Sequence, residues 1–315
     1  MNEPGSIQSK PVLFIVGVGR SGTSLLQSML GSHKKICFLP ETQFLRKYLF
    51  HSKKNKAINK KGFQEFKNIL KSDSAFKRLN ISPNDCVNEN QFSIYNVYEQ
   101  ILKIHLLRHK KEIPGDKDPR NLDFIEAIHK HFPEARVLHI IRDPRDVILS
   151  RTNADWSKKW SLFFHACMYN TQLIRARQHS LKLFNTNYFE LFYEDLIEKP
   201  EAELRKICEW LNISYDPCMQ QYQEVAKSLV STAEMQWKKE TLGPLLSKNK
   251  EKWKKGFSPY QIALIESICK TAWKKLPYKK ANYLQFSFLE KLKINFAVSV
   301  SKLFYIFYPL RLKFL

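Results

Sequence analysis

Residues 11–41, PVLFIVGVGRSGTSLLQSMLGSHKKICFLPE, decide how the rest of the chain is read. Residues 12–16 are short, apolar and β-branched, the pattern of a strand buried on both faces. They run into Gly17-Val18-Gly19-Arg20-Ser21-Gly22-Thr23-Ser24. Leu25, Leu26, Met29 and Leu30 then recur at helical spacing, with Gly31 placed to close the helix. Strand, glycine loop and helix N-terminus together make an anion cradle, because the glycines admit close backbone approach and the first-turn N–H groups favour negative charge. The loop nearly fits the nucleotide-binding pattern G-x-x-x-x-G-K-[ST]: Gly17 and Gly22 are correctly separated, but Thr23 stands in the lysine's place. The cation has moved into the loop as Arg20. A magnesium-bound triphosphate needs the missing lysine, whereas a ligand with less charge at the transferring group can be held by Arg20, hydroxyls and backbone N–H groups. A glycine turn without a ligand is the plain alternative.

Further along, Arg136–Ile141 reads as a second buried strand that ends in Arg142-Asp143-Pro144-Arg145-Asp146, with a helix continuing through Ser150 and Arg151. Tyr188–Phe192 is a third strand, residues 36–39 read as a short strand or extended connector, and residues 112–119 as a short strand end that runs into a loop. The expected fold is α/β, a P-loop-like central parallel sheet flanked by helices on both faces. In open α/β sheets ligands sit beyond the carboxyl ends of the strands, so the two charged turns are expected to face one crevice. Pro40-Glu41-Thr42 predicts a helix to about residue 50, in whose first turn proline and glutamate are favoured on structural grounds alone. Residues 51–90 read as a polar helical excursion beside a substrate entrance. On a helix over 95–108, His105 and His109 lie one turn apart; no third ligand accompanies them, so they are read as a solvated helix face. Long helices are also expected over 122–132, 156–182, 200–211 and 259–274. Trp156 and Trp160 fall one turn apart, a spacing of core packing more often than of an acceptor cleft.

The chain has 52 Lys+Arg against 30 Asp+Glu, a formal net charge of +22, which calls for an anionic partner such as a polyphosphorylated cofactor, an acidic polymer, an anionic membrane or nucleic acid. The lysines are scattered and no nucleic-acid-binding motif accompanies them, which argues against the last of these. Six cysteines show neither C-x-x-C nor zinc spacing, so reduced buried thiols are expected, with Cys208–Cys218 the pairing open to an oxidising compartment. The N-terminal residues do not read as a signal peptide, which makes a cytoplasmic location the expectation, and they are expected to be flexible. Near the end, Phe296, Val300, Leu303, Phe304 and Phe307 fall on one helical face ringed by Lys293, Lys302, Arg311 and Lys313. Lys302 interrupts the run, so no uncharged span approaches the roughly 20 residues that cross a bilayer. An interfacial helix on an anionic membrane and a helix docked on its own domain are the two readings.

Several separated segments resemble one family, the sulfotransferases that use 3′-phosphoadenosine 5′-phosphosulfate (PAPS). Gly19-Arg20-Ser21-Gly22-Thr23-Ser24 resembles the loop that binds the 5′-phosphosulfate, and Arg142 with Ser150 resembles the pair that grips the 3′-phosphate. Lys117-Asp118-Pro119 and Glu41-Thr42 are most similar to the tyrosylprotein sulfotransferase branch. That resemblance implies Glu41 as general base and Lys117 as the assistant of the leaving group; Arg20 is read as a further catalytic cation because the transfer needs fixed positive charge. Tyr193 and Lys252-Trp253 resemble later cofactor-contacting segments. The branch's serine upstream of Lys-Trp falls near Lys238 here, leaving Ser231, Thr232 and Ser247 to fill that role. The resemblance is clear over residues 11–151 and implies a sulfotransferase domain over 11–290, preceded by a flexible segment 1–10 and followed by an amphipathic helix 291–315.

Chemistry agrees on its own grounds. Sulfuryl transfer is an in-line displacement that fixed cations and N–H donors can stabilise without a metal, and the attacking hydroxyl needs a positioned base. The implied acceptor is a hydroxyl of a sugar, a lipid-linked glycan or a tyrosine. The rival readings are a P-loop nucleotide kinase, with Asp143 as its metal-binding aspartate, and a basic nucleic-acid-binding protein. Arg145 is expected to pair within the helix of Asp146 rather than to touch the 3′-phosphate.

Overall fold

Five short strands carry the sheet: β1 (Leu13–Val16), β2 (Ile36–Phe38), β3 (Ile113–Lys117), β4 (Arg136–Ile141) and β5 (Tyr188–Phe192). This is a computed structural model, and it describes residues 10–50, 52–90, 92–229, 242–281 and 285–312. The N-terminal residues 1–9 and Ser231, Thr232, Trp237, Lys238 and Lys313 lie outside the described residues. The strands are all parallel in the order β2-β3-β1-β4-β5, with Leu13 of β1 opposite Gly115 of β3 and Arg136 of β4. A parallel sheet is covered on both faces, which is why β1 reads as an unbroken apolar run rather than an alternating one. Alternate residues still separate: Phe14, Val16, Val137 and Ile141 enter one core, and Leu13, Ile15, Leu138 and Ile140 the other. The first core is covered by helices that include Ile94–His109 and Leu162–Phe184, the second by Thr23–Gly31, Pro200–Trp210 and Gln223–Leu229.

The carboxyl ends of β1, β3 and β4 lie side by side, and each feeds a turn that carries charged side chains. Two helices depart from the sequence reading. Residues 39–43 form no helix; the chain stays irregular past Glu41 and coils only at Leu45–Leu49, in a π-helical turn. Thr42 turns the chain there instead, its Oγ1 accepting the Phe44 N–H at 3.2 Å. The helix expected from residue 156 begins at Leu162, capped by Ser161, so Trp156 and Trp160 sit in turns before it and both are exposed. Trp160 stacks on Phe164 and Trp156 lies over Arg151, so neither belongs to the core. His105 is likewise not on a solvated face: it is buried, and its Nε2 lies 3.1 Å from the Phe38 carbonyl. All six cysteines are free, including Cys208, which is buried against Met219, and Cys218, which is exposed.

The Phe288–Leu312 helix packs on the Leu162–Phe184 and Pro259–Ile268 helices. It buries Ile294, Ser301 and Tyr308 and packs Ala297, Val298 and Phe304 against the first core. Phe304 therefore belongs to the docked side, and Val300 is half-buried, whereas Phe296, Leu303, Ile306 and Phe307 face outward. Among the described residues no helix is long and apolar enough to cross a membrane.

Candidate active site

The glycine loop follows β1 and turns sharply through two residues with left-handed backbone, Arg20 (φ 83°) and Gly22 (φ 97°). At Gly22 a side chain is excluded twice over, by the backbone conformation and by the Tyr193 ring, which would stand 2.4 Å from an added Cβ. At Gly17 an added Cβ would meet the Ile140 carbonyl at 2.6 Å, so this glycine lets β1 and β4 close up beneath the loop. The Thr23–Gly31 helix starts directly from Gly22, with no side chain capping its first N–H groups. Those donors point into a cleft of about 600 Å³ at the carboxyl edge of the sheet.

Arg142 after β4 and Ser150 on the helix that follows converge on the loop's own Arg20. Arg20 donates from Nε to Ser150 Oγ at 2.9 Å. The buried Arg142 donates to the Arg20 carbonyl at 3.3 Å and to the Asn249 carbonyl at 3.0 Å, and lies 4.2 Å over the Tyr193 ring. Asn249 in turn donates to the Tyr193 hydroxyl at 2.9 Å. Arg142, Arg20, Ser150 and Tyr193, picked out by separate motifs, thus form one connected group. Two buried polar atoms there, Ser21 Oγ and Arg142 Nε, make no hydrogen bond among the described residues.

Behind the opposite wall, which Glu41 and Asp118 line, Lys117 ends β3 with only 2% of its surface exposed. Its ammonium makes a short ion pair with Glu41 and lies 3.4 Å from Ser24 Oγ at the helix start. Asp118, next along, is salt-bridged to Arg46 at 3.1 Å. Asp116, before it, is fully enclosed and accepts from Tyr98 at 2.9 Å and Asn121 at 2.8 Å. Burial pushes its carboxyl up to about 7, against the Tyr98 hydrogen bond and the Lys117 charge, with Asp118 and Glu41 adding to the rise.

Not every candidate comes to the cleft. Trp253 is buried under Arg145, 3.7 Å from its ring, in a separate hollow, and Lys252 beside it is exposed. Asp146 holds this segment by accepting the Glu251 and Trp253 N–H groups at 2.7 and 3.0 Å. Arg145 pairs with Asp143, the cap of the helix that carries Asp146, and with Glu266, each at 2.7 Å. Ser247 is exposed and is not among the residues that line the cleft. Asn249, by contrast, lines the cleft from a lysine-rich loop that carries no sequence signal, and Arg46, Arg78 and Arg120 line it without a motif. Trp156 lines the cleft as well.

A fold of this kind has solved counterparts. The sulfotransferase domain of the Synechococcus PCC 7002 olefin synthase superposes with a TM-score of 0.59 at 17% identity, over 95% of this chain and 98% of that one. The sulfotransferase domain from the curacin biosynthetic pathway gives 0.58 at 19% identity, over 93% and 99%. In sequence, an uncharacterized protein of Aquifex aeolicus is 27% identical over 85% of this chain but only 33% of its own length. Protein-tyrosine sulfotransferase A of Caenorhabditis elegans is 24% identical over 68% of this chain and 53% of its own length. The chain thus spans between a third and about half of these relatives. The profile of the Sulfotransferase family matches residues 11–217, a span that takes in every strand of the sheet, the glycine loop and the Arg142 turn, and on that match the chain belongs to the sulfotransferase family.

Proposed function

We propose that the protein moves a sulfuryl group from PAPS to an acceptor hydroxyl, with Glu41 as the base. The observation that carries this reading is the pairing of Lys117 with Glu41 across the mouth of the glycine loop, within reach of Ser24. The residues present fit the donor. Ser21 Oγ and Arg142 Nε are buried polar atoms without partners among the described residues, and the uncapped first turn after Gly22 offers backbone donors to an anion. Gly19 to Ser24 would hold the 5′-phosphosulfate, and Arg142 with Ser150 the 3′-phosphate. When bound, the donor supplies an activated sulfuryl group on a phosphate leaving group.

The chain's own residues divide the remaining work. Glu41 takes the acceptor's proton. Lys117 and Arg20 offer fixed positive charge where charge develops, without reorganisation at the moment of transfer. Metal-independent transfer is part of the proposal. Asp143, the metal-binding aspartate of a kinase reading, is engaged by Arg145 and caps the Pro144–Thr152 helix through the Arg145 N–H, which disfavours that reading. The acceptor classes are a tyrosyl peptide, a sugar and a lipid-linked glycan; relatives named protein-tyrosine sulfotransferases put the peptide first in the test.

The test is transfer from labelled PAPS to these acceptors without added Mg²⁺. Label on an acceptor hydroxyl is the expected result. Label that appears only from Mg²⁺ and ATP would overturn the assignment. Losing a contact to a phosphate group in a buried pair costs about 2–5 kcal/mol, so Arg142→Ala should weaken adenosine 3′,5′-bisphosphate binding roughly tenfold or more. Equal affinity in that variant would refute the phosphate role.

A further inference from the structure

None of the residues lining the cleft takes part in a second cluster of ligating side chains, which lies at the edge of the sheet. His105 and His109 sit one turn apart at the end of the Ile94–His109 helix, with ring centres 4.5 Å apart. The outermost strand, β2, supplies the third member. Ile36 and Phe38 turn into the second core, so Cys37 between them points to the opposite face, toward this helix. One ligating atom from each of Cys37, His105 and His109 lies within 4.8 Å of the other two.

His105 adds an independent sign. With only 8% of its surface exposed, it has Nε2 set against the Phe38 carbonyl, and its Nδ1 has no hydrogen-bond partner among the described residues. The carbonyl fixes the proton on Nε2, which leaves the Nδ1 lone pair buried and unspent. Carbonyl-bound histidine with its other nitrogen free is the arrangement that orients metal-ligating imidazoles. A bare buried acceptor is otherwise unfavourable, because it gives up its hydrogen bond to water without a replacement.

We propose that Cys37, His105 and His109 bind a zinc-class transition-metal ion that ties the edge strand β2 to the Ile94–His109 helix. One thiolate and two imidazoles suit borderline and soft ions, not the oxygen-seeking Mg²⁺ or Ca²⁺. Bond lengths of about 2.0–2.3 Å in a tetrahedral site put ligand atoms roughly 3.3–3.6 Å apart, so the cluster closes by about 1 Å. His109 is exposed and free to make that movement, and its open side leaves the fourth position to water. Two cations flank the site, but both are turned elsewhere: Lys111 donates to the His33 carbonyl, and Arg108 to the carbonyls of Leu79 and Asn80. The thiolate offsets half the charge of a divalent ion. The role is structural. Three residues past β2's end the chain reaches Glu41, so the clamp steadies the strand from which that residue is hung.

The test uses the untagged full chain, stripped with a chelator and titrated with Co²⁺. The expected result is one Co²⁺ per chain, with visible d–d bands and a near-ultraviolet thiolate-to-cobalt band, both displaced by Zn²⁺. Cys37→Ser should remove the thiolate band. His109→Asn, at an exposed position that folding tolerates, should weaken binding tenfold or more. Cys218→Ser, which removes the exposed thiol, should leave the spectrum unchanged. No stoichiometric binding, a spectrum without the thiolate band, full affinity in His109→Asn, or loss of the band in Cys218→Ser would each overturn the proposal.

Discussion

At the scale of single residues, Glu41 and Asp116 carry the sharpest expectations. A first-turn glutamate needs no function to explain it, since the helix dipole alone gives it about 0.3–1 kcal/mol. The structure removes that explanation, because Glu41 lies in irregular chain ahead of the coil at Leu45 and points to Lys117. Glu41→Gln keeps shape and a hydrogen bond to Lys117 but cannot hold a proton at neutral pH. Turnover should fall about 10²–10⁴-fold, with folding and bisphosphate binding nearly normal. A folded variant retaining more than about a tenth of turnover would sink the base assignment. Asp116 makes a prediction about stability. Burial holds its proton up to about 7 in the folded chain, against roughly 3.9 when unfolded. Its contribution is therefore full below about pH 4 and is lost as pH rises through about 7. His105, His139 and His165 run the other way: burial presses each down to about 4, so their contribution is present above about 6.5 and lost on acidification. Asp116→Asn removes only the first dependence, so denaturant melts should show the variant gaining on wild type between pH 5 and pH 8. A gap that stays constant over that range would refute it.

At the scale of elements, what was legible depended on whether the signal was local. β4 and β5 stand at their expected bounds because short, mostly apolar runs, interrupted only by His139 and Glu190 and flanked by polar turns, have few other ways to be buried. Around Glu41 the local propensity of Pro-Glu pointed to a helix, and the requirement that Glu41 reach Lys117, 76 positions away in sequence, prevailed. The Cys37–His105–His109 cluster was illegible for the same reason, since its third ligand comes from a strand rather than from the helix that displays the other two. The C-terminal helix was read in two ways, and both have physical support. Tyr308 donates to the half-buried Asp123 at 2.8 Å, which docks one side. The other side leaves Phe296 72% and Ile306 63% exposed, with Lys302 and other exposed cations nearby. A monomer gains nothing from such a face in water, and the basic flanks suit an anionic surface, which makes peripheral membrane contact the occupant we propose. The full chain should co-float with phosphatidylserine vesicles, and Phe296→Ser with Ile306→Ser should abolish this without a change in melting temperature. Failure of wild type to float removes the membrane reading.

At the scale of the whole molecule, the charge of +22 and the buried cations of the site act over different distances. The sequence made the excess plain but not its division, because only the fold shows that Arg142 and Lys117 are enclosed while most lysines stay in solvent. The same limit held at the site: motifs marked Arg20, Arg142, Ser150 and Lys117, whereas Asn249, which joins Arg142 to Tyr193, comes from a lysine-rich loop with no pattern to mark it. Exposed charges steer an anion from afar, and salt screens them beyond a Debye length of about 8 Å at physiological strength. Enclosed charges act at contact and are screened far less. The two populations should separate in the kinetics of bisphosphate binding. Raising salt from about 0.02 to 0.3 M should slow association roughly tenfold, as expected for steered encounter. Dissociation, governed by contacts with Arg142 and the loop, should change by less than about threefold. Stopped-flow measurement of both rates decides. If dissociation instead carries the salt dependence, the bisphosphate is held by solvent-exposed lysines, and the enclosed Arg142 group is not its seat.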